Sequence, residues 1–181
     1  TVFRTVTAFA LLPFIDKMAD IICRLVKESE GERLANRKFD RLDERFLEHP
    51  AVAVEQSRLT VNSMAETARI NLIDSMRLLN DYTPALFDKV QATEDLVDQF
   101  EDKLGTYLVK LTALELTVEQ SERVSKYLHA LSDFERISDH AVNISENAQE
   151  KNDKRVTFSA DAEHELHVLN RAIEDILAMS I

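Results

Sequence analysis

The tightest constraint on this chain is a scarcity: its 181 residues include only two glycines and three prolines. Hairpins and tight turns draw on those two residue types, so a strand-rich fold would have almost no punctuation. The abundant residues are Leu, Ala, Glu, Arg, Lys and Gln, all of which favour helix. An all-α fold follows, and short connections between long helices imply an up-and-down helical bundle.

Three long segments carry apolar residues at three- and four-residue steps. The first, about 51–82, has Val54, Val61, Ala65, Ala68, Leu72, Met76 and Leu79 on one stripe. Asp81 or Thr83 can end it or cap its successor, and Pro84 suits the first turn of the next helix. That second helix, about 84–114, has Val90, Val97, Leu104, Leu108 and Leu111. The third, about 118–149, turns Val124, Leu128, Leu131, Val142 and Ala148 inward. A fourth starts near Ser159 with Leu166, Leu169, Ile173 and Ile176 on its stripe. Upstream, residues 28–50 mix both charge signs around Gly31 and end at Pro50, which reads as a connector with short helical pieces. Residues 1–27 contain an uncharged run from Thr5 to Ile15 that is short of the roughly 20 apolar residues a bilayer span needs. The end of a membrane-proximal helix and a buried amphipathic helix are both compatible with it.

The net charge of −11 argues against nucleic acid or anionic lipid as a bulk electrostatic partner. It is compatible with cations. Cys23 is the only cysteine, which excludes an intrachain disulfide and suits a reducing compartment. No secretory signal pattern is recognisable at the start of the sequence, which opens on Thr1 rather than Met and leaves room for more chain upstream.

Carboxylates interrupt two of the apolar stripes. On the second helix Glu94 stands between Val90 and Val97, with Asp98 one turn on and Glu101 nearly a turn further. On the third, Glu135 stands between Leu131 and Val142, with Asp139 one turn on. Each Glu-x-x-x-Asp pair points both acids the same way. At about 6 Å and an effective dielectric near 20, partly buried like charges repel by roughly 3 kcal/mol per pair. An arginine, a shared proton or a cation must offset that. Arg136 points about 100° away from Glu135 on the helix and is not the obvious partner. If the two helices pack antiparallel, Glu94, Asp98, Glu135 and Asp139 form a candidate metal site, with Glu101, His140 and Asn143 as supporting groups. Oxygen donors without cysteine suit Mg, Mn or Fe, and Zn less well. The plainer reading is that these acids edge the stripe and face water.

Other candidates carry less. His164 and His167 in "HELH" lie at i,i+3 and are either a chelating pair or a solvent-facing one. His49 and His129 have no visible partner. Neither a nucleophile–base constellation nor a glycine-rich phosphate loop occurs.

"SERVSKYLHALSDFERISDHAVNISENA", residues 121–148, resembles the third-helix signature of the PhoU family of phosphate-response regulators. "TEDLVDQFEDKLGTYLVKL", residues 93–111, resembles the helix before it. "LDERFLEHPAVAVEQSR" and "TVFRTVTAFALLPF" resemble the stretch that joins the last membrane helix of bacterial sodium/phosphate cotransporter-type proteins to a PhoU-like tail. The resemblance implies a PhoU-like three-helix repeat over 51–153 and the start of a second over 154–181. It implies multinuclear iron or zinc held by the two ExxxD pairs. It further implies a role restraining phosphate transport on the cytoplasmic side of the bacterial inner membrane, without catalysis. The partner would be a transporter portion of the same chain or a separate phosphate transport system, with a homodimer as a way to complete a shared cluster. Ser138 replaces a glycine usual in the family, which is expected to loosen packing there, and Phe134 replaces a leucine.

Two other functions fit a helical bundle with inward acids. A ferritin-like dimetal oxidase needs Glu-x-x-His pairs, but Phe46, Lys126, Ile137, Asp161 and His164 occupy the positions three before the histidines. A helical interaction scaffold needs only that the acids be solvated.

Overall fold

A computed structural model describes residues 39–180. The expectations for residues 1–27 and for the first part of the connector lie outside the described residues. The rest of the connector forms two short 3-10 turns, Asp40–Leu42 and Glu44–Glu48. Four α-helices follow: α1 (Pro50–Leu78), α2 (Pro84–Thr112), α3 (Val118–Asp153) and α4 (Ala160–Ser180).

Local chemistry sets the boundaries. Thr83 caps α2, its Oγ1 accepting from Leu86 N, and Pro84 occupies the first turn without leaving a donor unused. Thr117 caps α3 through a capping box with Gln120, each side chain accepting from or reaching the other's backbone. These stops allow α1, α2 and α3 to pack as a three-helix bundle in which every pair is in contact.

The stripes read from sequence are the packed faces. Val54, Val61, Ala65, Ala68, Leu72 and Met76 of α1 are buried, as are Val90, Val97, Leu104, Leu108 and Leu111 of α2. Phe100 and Met64 join them as the largest fully enclosed side chains. The core divides into two apolar clusters. One holds Val61, Ala68, Val97, Phe100, Leu104 and Leu131; the other holds Leu72, Leu78, Val90, Ala141 and Ala148. On α1, α2 and α3 the change from one cluster to the other falls at one level, where Ile137 packs against both and polar groups interrupt the apolar contacts. There Asn71 Nδ2 donates to Ser138 Oγ at 2.9 Å, both residues being buried. Ser138 is therefore closed into the α1–α3 contact, not a loosening of it. Asn71 Oδ1 has no hydrogen-bond partner.

Two expectations fail. Leu169 and Ile176 of α4 were expected to face inward, but they are 56% and 58% exposed; Leu177 is buried in the second cluster, and Ile173 of the predicted stripe packs against it. The reason is position: α4 meets α1 along a short stretch and has no described helix over its outer face. Along α3 the buried positions are Val124, Leu131, Ser138, Ala141, Ser145 and Ala148, while Glu135 is only half-buried. Small side chains, not the acids, occupy the inward line and let the helices approach.

Phe100→Ala should cost about 3–5 kcal/mol in equilibrium denaturation, the usual cost of emptying an enclosed aromatic site. Leu169→Ala should change stability by no more than about 0.5 kcal/mol. A large loss for Leu169→Ala would show that α4's outer face is covered.

Candidate metal centre

The relative register of α2 and α3 can be read from two contacts. Gln91 Nε2 donates to Ser145 Oγ at 3.2 Å, and Gly105 faces Leu131 Cδ2. As α2 advances α3 recedes, so the helices are antiparallel. Asp98, midway between Gln91 and Gly105, therefore falls opposite residues 138–139, and Glu101 opposite Glu135. Both ExxxD pairs lie along the same seam, at the level where the apolar core breaks.

The electrostatics agree with this placement. Burial raises the Glu135 carboxyl above its ordinary range, with Asp139, Asp98 and Glu101 adding like charge and a hydrogen bond to Asp139 favouring a bound proton. Glu94 is raised by burial first, then by Asp98, Asp95, Asp139 and Glu135. Asp98 is raised by desolvation first and then by Asp139 across the seam. Asp98 itself is exposed.

No base relieves this. Among the described residues, Glu94, Asp98, Glu101, Glu135 and Asp139 form no ion pair. Asp74 makes the contrast: it is deeply buried between α1 and α2, and both Arg77 at 3.0 Å and Lys89 at 2.6 Å neutralise it. Among the described residues, two cations thus serve one buried acid and none is paired with the acidic seam. Of the three ways to offset the repulsion, ion pairing with a base is not used among the described residues, which leaves a bound proton or a cation.

The donor chemistry fits a hard or borderline cation, since all the convergent atoms are carboxylate oxygens. The side chains are not gathered around one point, however. Among the described residues no group of three or more His, Cys, Asp or Glu is arranged to hold a metal ion. The acids line a seam that would have to close by rotamer changes of Glu94, Glu101 and Glu135.

The supporting candidates divide. Glu101 faces Glu135 and belongs with the seam. His140 and Asn143 are exposed, and His140 contributes to none of the three shifted carboxyls. His167 lines a shallow cavity between α1 and α4 beside Arg77 and Glu174, apart from the acids. His164 is exposed, as are His49 and His129. The sequence reading put Glu94, Asp98, Glu135 and Asp139 in the site with Glu101 as a supporting group; the register sets Asp98 opposite Ser138 and Asp139, and Glu101 opposite Glu135. A line of small residues at Ser138, Ala141, Ser145 and Ala148 was the available signal for that register.

In the metal-free protein, a folded carboxyl pKa above the unfolded one means that the folded state holds more protons, so stability falls as pH rises above the ordinary carboxylate range of about 4. Glu135→Gln removes one repelling charge and should raise the melting temperature at neutral pH, with the gain shrinking as pH drops toward 4. A lower melting temperature at neutral pH would contradict the electrostatic account.

Residues 61–148, which span most of α1, all of α2 and most of α3, match the family model described as the PhoU domain. No curated protein and no solved structure matches the chain. The matched segment contains the whole acidic seam, and a PhoU domain points to a role in regulating phosphate transport.

Proposed function

We propose that the PhoU-like domain at 61–148 is a cation-dependent regulatory module of phosphate transport, with the metal held at the α2–α3 seam by Asp98, Glu135 and Asp139, joined by Glu94 and Glu101. One observation carries this reading: five carboxylates from two antiparallel helices share a seam that contains no base. A bound cation would take the place of protons held by the raised carboxyls and turn mutual repulsion into common attraction. Iron or zinc is the ion suggested by the family resemblance, and the oxygen-only donor set also admits manganese.

The same reading places the module on the cytoplasmic side of a bacterial inner membrane, acting on a sodium-dependent phosphate transporter. Its support is the resemblance of residues 1–14 and 42–58 to the stretch that joins such a transporter to its tail. No helix among the described residues is long and apolar enough to cross a membrane, so in this reading the described part works on the transporter from outside the bilayer. Regulation would follow if ion occupancy stiffens the break between the two apolar clusters and so changes the surface offered to the transporter. The ferritin-like oxidase gains nothing from the histidines, none of which stands among the acids.

Elemental analysis of the purified chain should find iron, zinc or manganese, and the double variant Asp98→Asn/Glu135→Gln should lose it. An ion at about 100 times its Kd stabilises the folded state by about 2.7 kcal/mol, so adding it to stripped protein should raise the melting temperature, and the double variant should not respond. Unchanged metal content in the double variant would leave the acids as a solvated face of a scaffold. Cells in which the native gene carries the double substitution should take up phosphate without the restraint seen in the parent strain.

A further inference from the structure

A second polar site lies at one end of the bundle, on elements that the acidic seam does not use. A cavity of about 250 Å³ opens between the α1–α2 turn and the end of α3, lined by Asn80, Tyr82, Lys151, Asn152, Arg155 and Thr157. No carboxylate lines it, although the chain carries a net charge of −11. Glu150, nearby on α3, is paired with Lys154. Asp81 and Asp153 are exposed and stand outside the lining.

The two cations are differently held. Lys151 Nζ donates to Leu79 O at 2.7 Å and sits 4.6 Å above the Phe158 ring, which fixes the ammonium while leaving two of its three N–H groups unused. Its bond to Leu79 O also satisfies a carbonyl at the end of α1. Arg155 follows the end of α3 with φ 52°, in the left-handed region where glycine is usual. Val156 N donates to Lys151 O at 3.0 Å and Arg155 N to Asn152 O at 3.1 Å, the bond pair that closes a helix around such a residue. Within the described structure the Arg155 guanidinium has no hydrogen-bond or ion-pair partner, and neither do the side-chain polar groups of Asn80, Tyr82, Asn152 and Thr157.

An arginine kept where the backbone favours glycine needs a use for its side chain. We infer that this cavity binds an oxyanion of the phosphate type, either free phosphate or a phosphate monoester. The planar Arg155 fork takes two anion oxygens, and the pre-placed Lys151 ammonium supplies the second charge. The amide and hydroxyl groups around them complete the donor set. Two cations facing one small space favour a doubly charged anion over a single carboxylate.

The test is an NMR titration of the full chain, metal-free, with inorganic phosphate, glycerol 2-phosphate and acetate at matched ionic strength. Phosphate, the ester or both should give saturable shifts confined to Arg155 Nε–Hε and the amides of residues 80–82 and 151–157. The stronger of the two identifies the source of the phosphate group. Arg155→Gly removes the guanidinium and relieves the left-handed backbone, so it should fold at least as stably while weakening phosphate binding about tenfold or more. Lys151→Met should weaken it as well. No saturable shift at these residues, acetate binding as well as phosphate, or undiminished binding by Arg155→Gly would each overturn the site. Because the acidic seam is intact throughout and no metal is added, a negative result bears on this cavity alone.

Discussion

Repulsion between carboxylates across the α2–α3 seam is the interaction on which the rest of this structure turns. Helix packing alone would place apolar residues at the level of Asp98 and Glu135, where the core is otherwise continuous above and below. The chain instead breaks its core there, with Asn71 and Ser138 buried on the α1 side and acids on the open side. A fold can carry such a level because the two apolar clusters flanking it hold the helices in register. Burial and the neighbouring carboxylates raise Glu135, Glu94 and Asp98, so these groups hold a proton more readily than free carboxyls do, and that is the position a cation would take over. A site that costs stability when empty and returns it when filled is suited to reporting occupancy, because ligand binding then shifts a packed equilibrium.

The contrast with Asp74 gives this argument its weight. An isolated acid at the α1–α2 contact is matched by Arg77 and Lys89. The same chain had bases to offer the seam and placed none there. Acidic faces on exposed helices are common and mean little, whereas half-buried Glu94, Glu135 and Asp139, flanked by exposed Asp98 and Glu101 and unpaired with any base among the described residues, are a narrower observation.

Much of this was legible from residue order. The α2 stripe of Val90, Val97, Leu104, Leu108 and Leu111 is a strict helical repeat, and each member is buried, because a face that regular has only one way to leave water. Thr83 and Pro84 marked a boundary through chemistry that acts within four residues. The failures have a common cause. Leu169 and Ile176 have the right period, but burial depends on a neighbour that periodicity cannot supply. Glu135 was read as inward because it lies between Leu131 and Val142, yet Ser138 takes the inward position, since the closest approach of two helices selects small side chains. The cavity at Lys151 and Arg155 depends on a left-handed residue and a turn far away in sequence, and no local pattern announces it. The convergence of Glu94, Asp98, Glu135 and Asp139 was inferred only conditionally, on antiparallel packing; Gln91–Ser145 and Gly105–Leu131 supply the packing, while the acids lie along the seam and do not gather around one point.

The most direct measurement is proton release on metal binding. Stripped protein held at about pH 5 in weak buffer would be titrated with zinc or manganese while the base needed to hold the pH constant is recorded. If the cation displaces protons held by the raised carboxyls of the seam, binding and release saturate together, and both vanish in Asp98→Asn/Glu135→Gln. Binding with no proton released, or release that persists in that variant, would contradict the account.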